Sequence, residues 1–213
     1  IYKFKPELPL DSTRYLSLYR KGLEIGGGVN PATGNYTKSI SDLSVKSPGM
    51  NIDFVRTYNS KNKEVGSFGK GWDFNLDISK IKISTYPDYE TNGTTSTTYY
   101  QVVLPDGSNS LFTEKTSGVF NNVNTTNTLV RNGSEYIVKT SAQVKYYYKS
   151  WDNSDNYSLY KIEDVNGNIL NISNVVNGIR TVTDSIGRNY YITYDNGRIT
   201  QIEDPTSGRT VTY

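Results

Sequence analysis

Lys161-Ile162-Glu163-Asp164-Val165-Asn166-Gly167-Asn168 opens a pattern that returns as Asp184-Ser185-Ile186-Gly187-Arg188. It returns again as Gln201-Ile202-Glu203-Asp204-Pro205-Thr206-Ser207-Gly208-Arg209. The aspartates stand at positions 164, 184 and 204, twenty residues apart each time. Midway between them lies a second turn, Asn177-Gly178 in one unit and Asp195-Asn196-Gly197 in the next. Two turns per unit leave roughly seven residues for each strand, so each unit reads as one β-hairpin. Asp and Asn bond to nearby backbone, and Gly supplies positive φ. Asp164, Gly167, Gly178, Asp184, Gly187, Asp195, Gly197, Asp204 and Gly208 are therefore structural turn residues. A lone hairpin is marginal in water and needs neighbours, so the expected state is a long antiparallel meander.

Other strands are legible outward from the repeat. Ile52, Phe54, Arg56 and Tyr58 alternate with Asp53, Val55 and Thr57, the period of a half-buried strand. Trp72, Phe74, Leu76 and Ile78 predict a second strand with a strictly apolar face, Asp73, Asn75 and Asp77 lying opposite. The phase then slips, with Ile81 and Ile83 apolar, which predicts a bulge or bend near Ser79-Lys80. Pro87 to Thr98 is polar and Thr-rich and reads as a hairpin loop or insertion. Pro105-Asp106-Gly107 and Asn132-Gly133 mark turns, the latter between Leu129-Val130 and Tyr136-Ile137-Val138. Val144 to Trp151 is an aromatic strand. Ser12 to Lys21 offers the one helical spacing, and Gly26-Gly27-Gly28 reads as flexible entry to a strand, since no Gly-Lys-Ser/Thr follows it. The division expected is a β region over 1–85, a hairpin linker over 86–143 and hairpin repeats over 144–213.

Composition narrows function. The chain has 213 residues, 19 Tyr, no Cys, no His and a net charge of +2 with interspersed signs. Without Cys there is no disulfide, thiolate ligand or thiol nucleophile. Without His the side chain best suited to proton transfer near neutral pH is missing. Nothing favours nucleic acid, and no run approaches a membrane span. No signal-peptide pattern opens the chain at Ile1, which reads as a segment of something longer. Glu163-Asp164 and Glu203-Asp204 are carboxylate pairs, but they recur at one repeat position and so read as turn formers rather than as a glycosidase pair. Asp164, Asn166 and Asn168 have a calcium-loop look. Ile169 and Val175 stand where that loop needs Gly and an acid. Asp152-Asn153-Ser154-Asp155-Asn156 reads as a solvated turn. No catalytic, cofactor or metal residue is expected. Trp151 and Tyr147 are candidates for stacking on a sugar ring; packing is the competing reading.

The string Tyr194-Asp195-Asn196-Gly197-Arg198-Ile199-Thr200-Gln201-Ile202-Glu203-Asp204-Pro205, with Gly208-Arg209 and Tyr213, resembles the YD repeat of Rhs-type proteins. These include bacterial polymorphic toxins, wall-associated proteins, insecticidal toxin C subunits and teneurins. Gly28-Val29-Asn30-Pro31-Ala32-Thr33-Gly34-Asn35-Tyr36, Asp42-Leu43, Arg56-Thr57-Tyr58-Asn59-Ser60 and Gly69-Lys70-Gly71-Trp72 resemble the segment preceding the repeats in that family. Residues 85–160 match only loosely, through Leu104-Pro105-Asp106-Gly107. The resemblance implies a spiral β-shell that encloses or presents a C-terminal toxin or effector domain, with this chain at the start of the shell and non-catalytic. It implies a bacterial protein that is secreted or attached to the cell wall or surface. Its partners would be the rest of its own polypeptide, namely further YD repeats and the C-terminal domain. The rival reading is an adhesin-like module that binds a cell-surface glycan through exposed aromatics.

Overall fold

The computed structural model describes residues 28–30, 34–87, 95–123 and 125–213. The expected helix at Ser12–Lys21, and Gly26 and Gly27, lie outside these. Among the described residues every strand pairing is antiparallel. The all-β antiparallel meander is what forms.

A four-stranded sheet contains β1 (Val29–Asn30), β2 (Asn35–Val45), β3 (Ile52–Asn59) and β6 (Trp72–Phe74), in the order β1-β2-β3-β6. A two-stranded ribbon, β4 (Val65–Gly66) with β5 (Gly69–Lys70), connects β3 to β6. In β3 the alternation holds: Ile52 and Phe54 are buried and Asp53 is exposed.

The second expected strand is corrected. It ends at Phe74, and one turn of helix, α1, takes Asn75–Ile78. The Asn75 amide explains the break. Its Oδ1 accepts the Val55 N–H at 3.2 Å and its Nδ2 donates to the Asp53 carbonyl at 2.7 Å. A side chain thus meets the β3 backbone groups that a continuing strand would have met. Leu76 and Ile78 remain buried, but Asp73 is buried too, taking a hydrogen bond from Asn62 Nδ2 at 3.1 Å. Trp72 is only half-buried. The bend expected at Ser79-Lys80 is where α1 gives way to the next strand.

The large sheet has thirteen strands. One arm holds β7 (Lys80–Pro87), β8 (Ser96–Val103), β9 (Asn109–Thr116) and β10 (Val119–Asn122). A second holds β11 (Thr128–Asn132), β12 (Glu135–Lys139) and β13 (Lys145–Ser150). The repeat arm holds β15 (Ile169–Ile172), β16 (Ile179–Thr183), β17 (Asn189–Asp195), β18 (Arg198–Asp204) and β19 (Arg209–Thr212). All three meet at β14 (Asn156–Glu163). Its first residues, Asn156–Ser158, pair with β7; its last, Lys161–Glu163, pair with β15; β13 pairs along its length. The sheet therefore forks at β14. Ser79 fills the fork: its carbonyl accepts the Leu159 N–H at 3.1 Å, and its Oγ donates to the Val103 carbonyl at 3.1 Å. The fully buried Tyr148 hydroxyl donates to the same carbonyl at 3.1 Å.

Burial follows the period-2 pattern. Val182, Tyr190, Ile192 and Ile202 of the repeats are 0% exposed and share one core with Phe54 and Phe74 of the small sheet. Phe54 contacts Tyr190 at 6.2 Å between ring centroids. Each such side chain contributes about 1.5–3 kcal/mol by leaving water. The small sheet thus covers the apolar face of the repeats. Between the other two arms Tyr136 meets Tyr100, Phe120 and Tyr157 with centroid separations of 5.6, 6.1 and 4.7 Å. The 85/86 division falls inside β7 and the 143/144 division in the turn before β13; the same core takes residues from all three segments.

Candidate functional site

The three repeat aspartates form the most organised polar feature. In the first turn Asp164 Oδ1 accepts the N–H groups of Asn166 (2.9 Å) and Asn168 (2.8 Å), and Oδ2 accepts Asn168 Nδ2 (2.8 Å). In the second, Asp184 Oδ1 accepts the N–H groups of Ile186 (3.1 Å) and Arg188 (2.9 Å), and Oδ2 accepts Arg188 Nε (2.7 Å). In both, the Asp N–H donates to the carbonyl four residues on, at 3.0 Å. The third turn is one residue longer. Asp204 accepts the Ser207 hydroxyl at 2.6 Å and Arg209 at 3.0 Å. All three aspartates are buried. Burial alone pushes the Asp184 and Asp204 carboxyls up, but the donors around them outweigh it and hold both below the usual range. The Asn168 amide heads the donors that do the same to Asp164.

The mid-repeat turns are also alike. Asn177 and Gly178 have φ of 50° and 77°, and Asn196 and Gly197 have 47° and 75°. Positive φ at both central residues is the type I′ turn, whose twist suits a two-residue hairpin. Asp195 precedes the second turn and is exposed. Gly167, Gly187 and Gly208 close the Asp turns with positive φ.

Sequence reasoning assigned these residues to turns alone. The structure adds that the end of β2, from Ser44, and the segment joining it to β3 cross all three Asp turns like a strap. Gly49 abuts the Asp164 turn so closely that a Cβ there would collide with Asn168 Nδ2 and Asp164 Oδ2. Ser47 Oγ donates to Asp184 Oδ2 at 3.0 Å, and Arg188 donates to the Lys46 carbonyl at 2.9 Å. Arg209 donates to the Ser44 carbonyl at 3.2 Å. Each carboxylate therefore closes its own turn and presents that turn to the strap.

A second set of contacts ties the far ends of the hairpins to the small sheet's side of the seam. Asp77 of α1 accepts from Ser67, from Arg180 and, at 3.1 Å, from the Tyr194 hydroxyl. Arg198 donates to the Gly66 carbonyl at 2.6 Å, and the Ile199 N–H to the Ser67 carbonyl at 2.9 Å. Arg56, paired with Asp42 at 3.0 Å, lies over Phe68, Trp72 and Tyr213. Nothing local in the sequence marks Ser47, Gly49, Asp77 or Arg56 for contact with the repeats, because their partners there, Asp184, the Asp164 turn, Arg180 with Tyr194, and Tyr213, are over a hundred positions away.

Tyr147 and Trp151 sit elsewhere, on the outer face of β13 and just past its end. Tyr147 is 9% exposed; its hydroxyl donates to Glu163 at 2.7 Å, and burial followed by that bond pushes it up to about 12. Trp151 is 38% exposed, with Lys149 Nζ 4.0 Å from its ring centroid. Glu163 is held below the usual range, first by Lys145 and then by Tyr147, so the Glu163-Asp164 pair is split between that face and the turn. Among the described residues no three His, Cys, Asp or Glu converge on a metal position, and no helix is long and apolar enough to cross a membrane.

Residues 26–107 match a family model described as a domain of unknown function, DUF6531. That span takes in the small sheet, the strap, α1, β7 and β8, and stops short of the repeats. The chain is also similar to tRNA nuclease WapA of Bacillus subtilis (strain 168) and to tRNA(Glu)-specific nuclease WapA of Bacillus subtilis subsp. natto. A third similar protein is tRNA3(Ser)-specific nuclease WapA of Bacillus spizizenii. Each is 30% identical over 149 residues, 66% of this chain and 6% of the relative. The chain thus spans a small fraction of the relatives it matches.

Proposed function

We propose that this chain is a non-catalytic wall segment of a secreted or cell-surface bacterial YD-repeat protein of the Rhs type. In this reading it begins a spiral β-shell that encloses or presents a C-terminal toxin or effector domain. The observation that carries the reading is the strap: one segment of the DUF6531-matched region engages three successive repeat turns. A sheet laid over the apolar face of hairpins, and pinned at both their ends, sets their spacing and curvature. β19 stands last in the order and offers a ladder edge to which further hairpins can add. The carboxylates are committed to turns and ion pairs, which fits a wall better than a catalytic cleft. An activity such as the tRNA cleavage in the relatives' names would belong to another part of the longer polypeptide.

The test is limited proteolysis of the natural full-length protein, reading the survival of its C-terminal portion. That portion is expected to resist protease in the wild type and to become accessible in a Ser47→Ala, Asp184→Ala, Asp204→Ala triple variant. Equal accessibility in both proteins, or tRNA cleavage by the present 213-residue chain, would overturn the reading.

A further inference from the structure

Apart from the seam, the outer face of β12–β14 gathers aromatic rings and ammonium groups from residues scattered in sequence. Tyr147 pairs across strands with Lys161, Lys145 with Glu163, and Glu135 with Lys149. Lys161 Nζ stands 3.6 Å from the Tyr147 ring centroid. Lys149 Nζ stands 4.6 Å from the Tyr160 centroid and 4.0 Å from that of Trp151. Tyr147 and Tyr160 are themselves 6.3 Å apart. The result is a row of cation, two rings and a second cation that ends on an exposed indole.

The charges differ in how they are used. Lys145 is bound to Glu163 at 2.6 Å. Lys149 has no carboxylate within ion-pair distance among the described residues; the rings hold it instead. An ammonium over a ring keeps donors to spare, since the ring's negative face satisfies only one side of the charge. Trp151 has Lys149 over its ring and is otherwise the most open of these aromatics. Glu163 is already engaged by Lys145 and by the Tyr147 hydroxyl, which leaves Lys149 as the ammonium held by rings alone.

We infer that this face is a binding site for a carboxylate-bearing polysaccharide, with Trp151 stacking on a sugar ring and Lys149 taking the carboxylate. Lys145 and Lys161 are both paired with Glu163, so the ammonium of Lys149 is the charge that selects an acidic occupant. A single ammonium beside an open indole suits one negative charge on one sugar ring. Single-stranded nucleic acid fits less well: Tyr147 is buried, so successive bases lack successive open rings to stack on. The inference does not depend on the shell reading, because the strap contacts involve neither Lys149 nor Trp151.

The experiment is affinity electrophoresis of the 213-residue chain in gels containing polygalacturonate, alginate, pullulan or polyuridylate, at about 150 mM salt to suppress long-range charge effects. Retardation is expected in at least one of the two acidic polysaccharides and not in neutral pullulan. Trp151→Ala and Lys149→Gln should each weaken it about tenfold, while Lys38→Gln, an exposed lysine of the small sheet, leaves it unchanged. Circular dichroism checks that the variants fold. No retardation by either acidic polysaccharide, an equal loss in Lys38→Gln, no loss in Trp151→Ala, or tighter binding of polyuridylate would each overturn the assignment.

Discussion

Replacing Asp184 with alanine is expected to lower the stability of the chain by about 3 kcal/mol. The side chain is 1% exposed. It accepts the N–H of Ile186 at 3.1 Å and of Arg188 at 2.9 Å, Arg188 Nε at 2.7 Å, Ser47 Oγ at 3.0 Å and the Tyr190 hydroxyl at 3.3 Å. These contributions are not additive. Ile186 is exposed, and water can replace the carboxylate at the tip of the turn. Tyr190 is 0% exposed, and its hydroxyl would be left without a partner at a cost of about 1–3 kcal/mol. The lost strap contact and the loosened turn together add about 1 kcal/mol. Urea unfolding followed by fluorescence and circular dichroism reads the change directly. With a slope of about 2–3 kcal/mol per molar, the midpoint should fall by roughly 1 M. Asp152 supplies the control. It also accepts a backbone N–H two residues on, Ser154 at 3.0 Å, but in an exposed turn. Asp152→Ala should therefore move the midpoint far less. An unchanged midpoint in Asp184→Ala, or an equal shift in Asp152→Ala, would show that the buried turns do not lock the seam.

Acid provides a second check. Asp184 and Asp204 have depressed folded-state values, so their contribution is complete above the unfolded carboxylate value and disappears as pH falls through the folded one. Stability should be flat from about pH 5 to 8 on their account and decline below about pH 4, less steeply in an Asp184→Asn, Asp204→Asn double variant; parallel acid limbs in urea titrations would refute this. The two I′ turns should respond differently to alanine. Gly197→Ala meets open space and should cost about 1 kcal/mol. Gly178→Ala would place a Cβ 2.8 Å from the Tyr194 carbonyl oxygen and should cost at least twice as much, as thermal unfolding would register. At the fork, Tyr148→Phe and Ser79→Ala should each cost about 1 kcal/mol, and the double variant more than their sum, because only then does the Val103 carbonyl lose both donors. Strict additivity in a double-mutant cycle would deny that shared role.

The hairpins were legible because their information is local. Asp at one end of a strand, Gly after it and strand-formers between are chemistry within a few residues. Two further turns share the backbone pattern without the aspartate. At 104–108 and 140–144 the first residue's N–H donates to the carbonyl four on, at 2.9 and 3.0 Å. The second puts Gln143 at φ 63° where the other turns have glycine. Composition hides it, since Gln carries no turn signal. The same limit explains the error at Trp72–Ile78. Strict alternation there is a strand signal, and Asn75 overrides it through β3, twenty residues earlier. Asn132-Gly133 did mark a hairpin, but one place early: Asn132 pairs with Glu135, so Gly133-Ser134 makes the turn. The strap was beyond reach. A Gly beside a Pro in a polar stretch is an ordinary loop until the Asp164 turn is laid against it.

The fork at β14 gives the architecture a direction of growth. β7 and β15 use successive stretches of one ladder edge, so β14 is the template on which the repeat arm starts. Everything N-terminal to it is in hand when a ribosome has delivered residue 163, and each later hairpin then meets a finished neighbour as it emerges. Such an array elongates like a crystal from a seed: the slow step is assembling the seed, where Ser79 must find Leu159 across a long loop. Each added repeat thereafter pairs with the hairpin just before it and docks its turn on the strap. A defect at the fork should therefore reduce how many molecules begin the array, whereas a defect in a later turn should mark only where it stops.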